Sequence, residues 1–246
     1  MDFRKSFCLF ILLLQLLTFQ PYPARSQQSV TNTNADSSIT LSQTSITGRL
    51  ISGRIVTIKY KTLSGNNPKK LKNWVGIWQS DQILYSDPPL RKKYITGTDK
   101  DGDLAFDSLE MQRKEYIIGY GVGDGNNTIA ATLFIPTDAQ PSDMGIAFAT
   151  LVEVIEHGNN FLIVKFQTPL GNRPAANQNW IGVWDGKSFS TDGVNLIKRE
   201  PVASQVSGHV VAINDLKLTR NTWYTITYSL GTQYRDIVAS YTFLNN

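Results

Sequence analysis

The sequence predicts an all-β protein in which two tandem β-sandwich domains follow a cleaved signal peptide. Three observations lead to this prediction: an internal repeat, short strand-like segments divided by turn residues, and an apolar run near the amino terminus. The repeat is clearest where the segment Asn-Trp-Val-Gly-Ile-Trp at 73–78 returns as Asn-Trp-Ile-Gly-Val-Trp at 179–184, about 106 residues later. That period is the length of a small domain and is too long for a solenoid unit.

The first 26 residues have the features of a secretory signal peptide. Arg4 and Lys5 precede an almost wholly apolar run from Phe7 to Phe19, and small residues precede Gln27. The run is shorter than the ~20 residues that a membrane-spanning helix needs, so we expect no stable membrane span and a secreted protein. Residues 27–38 are polar, which predicts a disordered segment ahead of the first domain.

Removal of the signal peptide changes the composition of the mature chain. Its only cysteine, Cys8, leaves with it, so we expect no disulfide and no cysteine metal site. Arg4, Lys5, Arg25 and Asp2 also leave, so 24 basic and 20 acidic residues become 21 and 19, a net charge of +2. This small excess, without a long basic run, argues against a nucleic-acid partner.

The remaining chain divides into two similar halves. We predict a first domain at 39–136, a linker at 137–145 that contains Pro141, and a second domain at 146–246. Each half alternates β-branched and aromatic segments with Asp-Gly turns, and a Tyr-x-x-x-Tyr segment occurs at 116–120 and again at 224–228. Short strands with turns at this spacing, in units of about 100 residues, indicate an immunoglobulin-like sandwich.

These motifs resemble those of known β-sandwich families. The order is an alternating strand, a Gly/Asn/Pro loop, an Asn-Trp-x-Gly-x-Trp strand and a Tyr-x-x-x-Tyr strand. It resembles the SKICH-type immunoglobulin-like domain and the non-catalytic amino-terminal domain of plant-type purple acid phosphatases. The resemblance implies an accessory domain for protein contact, membrane targeting or support of an attached enzyme, although this chain carries no enzyme domain that we recognise.

The tryptophans are the first candidate binding residues. In an extended strand Trp74, Gly76 and Trp78 share one face, while Val75 and Ile77 take the other. Because both faces are apolar, we predict that this strand is central and covered on at least one side. We interpret the rings mainly as core. The alternative is that Trp78 and Trp184 lie on an outer face and stack against a ligand. Trp223 has no aromatic counterpart in the first half, so we expect it to be the most exposed tryptophan.

The other candidate binding residues are basic and form two short clusters: Lys69, Lys70 and Lys72, and Arg91, Lys92 and Lys93. We expect a partner to bind at three surfaces: the loop at 66–72, the residues at 91–93 and the loop at 172–178. A solvated loop face is the structural alternative for each cluster.

An acidic segment gives the one candidate metal site. Asp99, Asp101 and Asp103 surround Gly102, and carboxylates on a glycine turn are ligands that Ca²⁺ prefers. The spacing differs from that of a helix-loop-helix calcium site, and the second half lacks the acids. We therefore interpret the segment as a solvated Asp-Gly turn, with a Ca²⁺ site as the alternative. No other cofactor is expected.

Asn126 begins an Asn-Asn-Thr triplet that fits an N-glycosylation acceptor. The triplet lies in a glycine-rich loop between two strand-like segments. We therefore predict that Asn126 is exposed and open to glycosylation in a eukaryotic source.

No catalytic residue is predicted. His157 and His209 occupy non-equivalent positions in the two halves, and no Gly-x-Ser-x-Gly motif occurs. We therefore expect a secreted, non-enzymatic binding protein whose partner is an extracellular protein or a glycan. The alternatives are a secreted hydrolase of unfamiliar type and a membrane-acting secreted protein.

Overall fold

The computed structural model describes residues 39–137 and 144–246. The predicted signal peptide, the predicted disordered segment at 27–38 and residues 138–143 of the predicted linker lie outside the described residues. The described strands belong to one compact unit, Asp36–Asn246. We call residues 39–136 copy one and residues 146–246 copy two.

The described chain is all-β, as predicted, and each copy contributes eight strands. Copy one contains β1 (Thr40–Gln43), β2 (Ser45–Ile51), β3 (Val56–Lys61), β4 (Trp74–Trp78), β5 (Arg91–Tyr94), β6 (Asp101–Phe106), β7 (Tyr116–Gly121) and β8 (Ile129–Ile135). Copy two contains β9 (Ile146–Ala149), β10 (Leu151–His157), β11 (Leu162–Gln167), β12 (Trp180–Asp185), β13 (Leu196–Pro201), β14 (Gly208–Ile213), β15 (Thr222–Ser229) and β16 (Ile237–Asn245). Short 3₁₀ helices at Asn126–Thr128 and Tyr234–Asp236 precede β8 and β16.

The strands form four antiparallel sheets. Two are three-stranded, with orders β2-β3-β6 and β10-β11-β14, and two are five-stranded, with orders β5-β4-β7-β8-β9 and β1-β16-β15-β12-β13. In each copy a three-stranded sheet faces a five-stranded sheet, which gives a β-sandwich-like arrangement.

The first strand of each copy pairs with the last strand of the other copy. β1 pairs with β16, with Ser42 opposite Ser240, and β9 pairs with β8, with Phe148 opposite Thr132. The chain then returns to its own copy, since β2 pairs with β3 and β10 pairs with β11. This reciprocal strand exchange joins the two repeats through main-chain hydrogen bonds.

Two equivalent threonines mark the points where the chain passes between copies. The Thr44 amide donates to the Val238 carbonyl at 2.8 Å, and the Thr150 amide donates to the Ala130 carbonyl at 2.9 Å. Both threonines are buried. The main chain therefore makes equivalent hydrogen bonds at the two crossings, and the reciprocal pairing relates the copies by an approximate twofold symmetry.

The central strands show why the Trp-x-Gly-x-Trp pattern repeats. Val75 and Ile77 point into the main core between the sheets, while Trp74 and Trp78 form a separate cluster on the opposite face. A Cβ on Gly76 would lie 2.8 Å from Trp74 Cζ3 and 2.9 Å from Trp78 Cη2. The glycine is therefore needed because the two indoles flank it.

A buried polar network accounts for the asparagine before each pair of tryptophans. Asn73 Nδ2 donates to Asn66 Oδ1 at 2.8 Å and to the Tyr120 hydroxyl at 3.0 Å. The second copy repeats both bonds, which join Asn179 to Asn172 and to Tyr228, each at 3.1 Å. Burial raises the pKa of the Tyr120 and Tyr228 hydroxyls. The motif therefore ties the Gly/Asn/Pro loop to the Tyr-x-x-x-Tyr strand.

We expect Asn73→Ala to lower the free energy of unfolding by about 2 kcal/mol, because it leaves two buried polar partners without their donor. Urea denaturation measures the change. Asn214→Ala is the matched control, since Asn214 is exposed and should be replaced at almost no cost. Equal stability of the two variants would show that the network does not hold the loop.

Candidate functional site

The tryptophan face of each copy is covered by loops. In copy one the rings pack with Ile83, Leu84 and Tyr85 from the loop after β4. In copy two they pack with Phe189 from the corresponding loop and with Tyr234. Leu63 of copy one belongs to the buried cluster that contains the tryptophans of copy two. The tryptophan faces therefore lie where the two copies meet.

Trp78 and Trp184 do not offer a stacking surface. Their exposed fractions are 1% and 0%. The covering loops and the other members of the two buried clusters remove both rings from solvent, so the stacking alternative does not fit the structure. Trp223 is half-exposed, and Lys187 Nζ lies 4.3 Å from its ring centroid.

The interface between the two copies has two equivalent ends, and a side chain fills one of them, which we call the closed end. At the closed end Tyr85 reaches across to copy two, where its hydroxyl donates to the Pro169 carbonyl at 3.5 Å. A Cβ on Gly171 would lie 3.1 Å from Tyr85 Cε2. Asn172 Nδ2 also donates to the Asn127 carbonyl at 3.4 Å. The Tyr85 side chain therefore fills the space above Gly171.

The equivalent end on the other side is open. Gly65 corresponds to Gly171 and has the same left-handed backbone, with φ of 85° against 83°. A Cβ on Gly65 would have no atom within 4 Å. Tyr85 and Thr191 each lie seven residues after the second tryptophan of their copy. A small threonine thus stands where the closed end has a tyrosine.

The open end forms a cleft of about 670 Å³. We call this surface the inter-copy cleft; its lining residues are Gly65, Asn67, Lys70, Leu71, Thr191, Thr232, Gln233, Tyr234 and Arg235. The volume falls within the range of about 300–1,000 Å³ that is typical of small-ligand pockets. Both copies supply walls, so the site depends on their association.

The lining of the inter-copy cleft carries two positive charges, Lys70 and Arg235. Arg235 has two acidic neighbours outside the lining, Asp124 and Asp236, each with a nitrogen–oxygen separation of 3.8 Å. Asp124 is largely exposed, whereas burial raises the pKa of Asp236. Both carboxylates lie within ion-pair distance of the guanidinium, but neither is within hydrogen-bond distance, so its terminal nitrogens keep donors for a ligand.

The Asn126 side chain contacts the loop that forms the closed end. Its Nδ2 lies 2.9 Å from the Asp87 carbonyl, 3.3 Å from that of Tyr85 and 3.5 Å from that of Leu84. These contacts hold the loop that carries Tyr85. Asn126 is partly exposed, and its glycosylation, which would attach a sugar to this same nitrogen, stays a prediction.

The predicted basic residues are distributed over several surfaces. Lys70 lines the inter-copy cleft, while Lys69 and Lys72 are exposed beside it. Arg91 is exposed at the start of the edge strand β5. The first cluster therefore contributes one residue to the cleft.

The other two basic residues of β5 have intramolecular partners. Lys92 Nζ lies 4.0 Å from the Trp74 ring centroid, and Arg199 occupies the equivalent place at 4.3 Å from Trp180. Lys93 Nζ donates to the Ala105 carbonyl and to Asp107. This repeated cation–π contact stabilises the sheet surface.

Two of the three acidic residues lie in a strand and not in a turn, while Asp99 lies in a bend just before it. Asp101 and Asp103 belong to β6, opposite Lys61 and Lys59 of β3. Asp103 accepts a hydrogen bond from Arg49 at 2.7 Å. Within 39–137 and 144–246, no three carboxylate, histidine or cysteine side chains, those of Asp99, Asp101 and Asp103 included, come together as a metal site.

Sequence reasoning found Lys70 but missed Arg235, Thr191, Thr232 and Gln233. None of these belongs to a motif, and their proximity depends on how the two copies pack. The signal that was present is the difference between Tyr85 and Thr191 at corresponding positions, which marks the place where the repeat diverges.

Comparisons with known proteins identify no family. No family model matches the chain, and no curated protein matches it. Among solved structures, a chain described as "Structural basis of neurohormone perception by the receptor tyrosine kinase Torso" is similar with 12% identity and a TM-score of 0.21, over 82% of this chain and 72% of that chain. A similarity at this TM-score carries no argument about function.

None of the helices in the described ranges is long and apolar enough to cross a membrane.

Proposed function

We propose that the protein is a secreted, non-enzymatic binding protein whose ligand, a surface protein or a glycan, occupies the inter-copy cleft. One observation carries this proposal. Two equivalent ends of the same interface differ, since Tyr85 fills one end and Thr191 leaves the other open. Packing that served stability alone would gain from filling both ends.

The chemistry of the cleft supports binding over catalysis. Its lining consists mainly of amide, hydroxyl and cationic side chains, with no carboxylate or imidazole among the described residues that line it. Glycoside hydrolysis requires two carboxylates, and ester hydrolysis requires a nucleophile with a base beside it. Polar side chains with two cations suit the recognition of a polar, anionic surface.

The immunoglobulin-like character of the repeats belongs to this proposal. The Asn-Trp-x-Gly-x-Trp strands resemble those of SKICH-type domains and of the accessory domain of purple acid phosphatases, in which such sandwiches contact partners. The proposed binding role is of the same kind. Here, however, the surface is formed between two repeats and not within one.

Thr191→Tyr should reproduce the closed end on the open side. We expect it to reduce retention of the protein on its target surface at least about tenfold, because the ring would occupy the ligand's space. Retention of labelled protein on intact cells or extracellular matrix from its own source is the measurement.

Thr191→Ser is the matched control, because it keeps a small hydroxyl side chain and should bind as the unchanged protein does. Equal retention of the tyrosine and serine variants, with both fully folded by circular dichroism, would rule out the inter-copy cleft as the binding site.

A further inference from the structure

We infer that the inter-copy cleft binds an acidic sugar unit, one that carries a carboxylate or a sulfate on a carbohydrate ring. This inference rests on the proposed function, since it names the ligand of the same site. It follows from three properties of the cleft: its charge, its neutral polar groups and its lack of apolar anchors.

The charge of the cleft favours an anion. Lys70, which is exposed, and Arg235 both line the cleft, so each copy supplies one cation to it. Arg235 Nε is buried and lies 3.8 Å from Asp236, so the terminal nitrogens of the guanidinium are the donors that can face a ligand. A guanidinium with free donors binds carboxylates and sulfates in a defined orientation.

The neutral groups of the cleft favour a sugar. Thr191, Thr232 and Gln233 are exposed on the copy-two wall, and Asn67 lies on the copy-one wall. Hydroxyl and amide side chains both donate and accept hydrogen bonds, as sugar hydroxyl groups do. Arg199 Nη2 donates to the Thr232 carbonyl at 2.9 Å, which fixes this wall before a ligand binds.

The aromatic and apolar content of the cleft argues against an acidic peptide. Leu71 is its one aliphatic side chain, and Tyr234 is fixed edge-on to Trp180 and Trp184, with ring centroids 5.8 Å away in each case. Peptide-binding grooves use pockets for apolar anchors or a free strand edge. The described lining of the cleft includes no strand residue, because all nine residues lie in loops or in the 3₁₀ helix Tyr234–Asp236.

The test is binding of the full-length protein to defined probes by calorimetry. The probes are sulfated, uronic-acid-containing and sialylated oligosaccharides, with neutral oligosaccharides and a poly-glutamate peptide for comparison. We expect at least one acidic oligosaccharide to bind, with an affinity that falls as salt rises. The three acidic probes distinguish between sulfate and carboxylate as the source of the charge.

Variants place the ligand in the cleft. Lys70→Gln and Arg235→Gln should each weaken binding about tenfold. Lys69→Gln and Arg173→Gln are the matched controls: Lys69 is exposed outside the lining, and Arg173 lies in the corresponding loop of copy two. Both controls should bind within about twofold of the unchanged protein.

The outcomes separate this inference from the proposed function. Two results would overturn the acidic sugar as the ligand and still leave the cleft as the binding site. One is binding of poly-glutamate alone. The other is that no acidic sugar binds although Thr191→Tyr abolishes surface retention. Acidic sugar binding that is equally weakened by the control variants would place the ligand elsewhere and overturn the inference. Retention unaffected by Thr191→Tyr would overturn both.

Discussion

Gly121→Ala is expected to destabilise the protein by about 3 kcal/mol or more. A Cβ at this position would lie within van der Waals overlap of the Trp74 indole, 2.7 Å from Cζ2 and nearer still to Cε2 and Nε1. Trp74 is fully buried, and its Nε1 donates to the Gly123 carbonyl, so the ring cannot move without loss of that bond. Overpacking of this kind usually costs about 1–3 kcal/mol, and rigid neighbours raise the cost.

Copy two shows how the same position can hold a side chain. Ser229 corresponds to Gly121, and its hydroxyl donates to the Gly231 carbonyl at 3.0 Å. Trp180 Nε1 is left without a hydrogen-bond partner among the described residues. The two tryptophans are therefore held differently, and the steric demand on glycine is specific to copy one.

Gly53→Ala is the matched control for Gly121→Ala. A Cβ on Gly53 would meet no atom within 4 Å, and neither glycine has a positive φ. Chemical denaturation followed by circular dichroism should show a large loss of stability for Gly121→Ala and a change within about 0.5 kcal/mol for Gly53→Ala. Similar curves for both variants would mean that Trp74 does not occupy its place over β7.

The covalent connection between the two copies should not be needed to keep them together. A protease site placed between residues 138 and 143 allows the chain to be cut between β8 and β9. We expect the two fragments to remain bound after cutting, because β1 and β9 each belong to a sheet of the other fragment. Leu63 of copy one, which is buried in the same cluster as the tryptophans of copy two, adds apolar area to the interface between the fragments.

Size-exclusion chromatography at low and high salt measures this association. Co-elution of both fragments at 1:1 stoichiometry is the expected result. It should resist salt, because strand pairing and apolar burial are little affected by screening. Two independently eluting, folded fragments would show that each repeat is a separate domain.

Much of the fold could be predicted from local sequence. The strand period and the flanking turns indicated an all-β chain, and the Trp-x-Gly-x-Trp spacing placed the indoles of β4 on one face and Val75 and Ile77 on the other. These predictions succeeded because each depends on neighbours within one strand. Asp101–Asp103 was predicted as a turn and is a strand, since pairing with Lys59 and Lys61 of β3 overrides the Asp-Gly signal.

The strand exchange could not be predicted from the sequence. Because the copies are similar, β1 would meet nearly the same neighbours on β8 of its own copy as it does on β16 of the other. Local pairing preferences cannot distinguish these two arrangements. The choice is a property of the whole assembly, in which Thr44 and Thr150 mark the two crossings.

The candidate site was predictable only in part for the same reason. A cluster of charge pointed to Lys70, but Arg235 is isolated in sequence and comes near Lys70 only through the packing of the copies. Trp78 and Trp184 stood out in the sequence because of their size and repetition, and in the structure both are buried.

The two repeats form one strand-exchanged body, on which the inter-copy cleft depends. Engineered cysteine pairs test this exchange, because the only native cysteine is Cys8. Ser42→Cys with Ser240→Cys joins β1 to β16, while Ser42→Cys with Thr132→Cys would join β1 to the corresponding residue of its own copy. We predict that mild oxidation forms the first disulfide and not the second; the reverse result would contradict the exchange and, with it, the cleft.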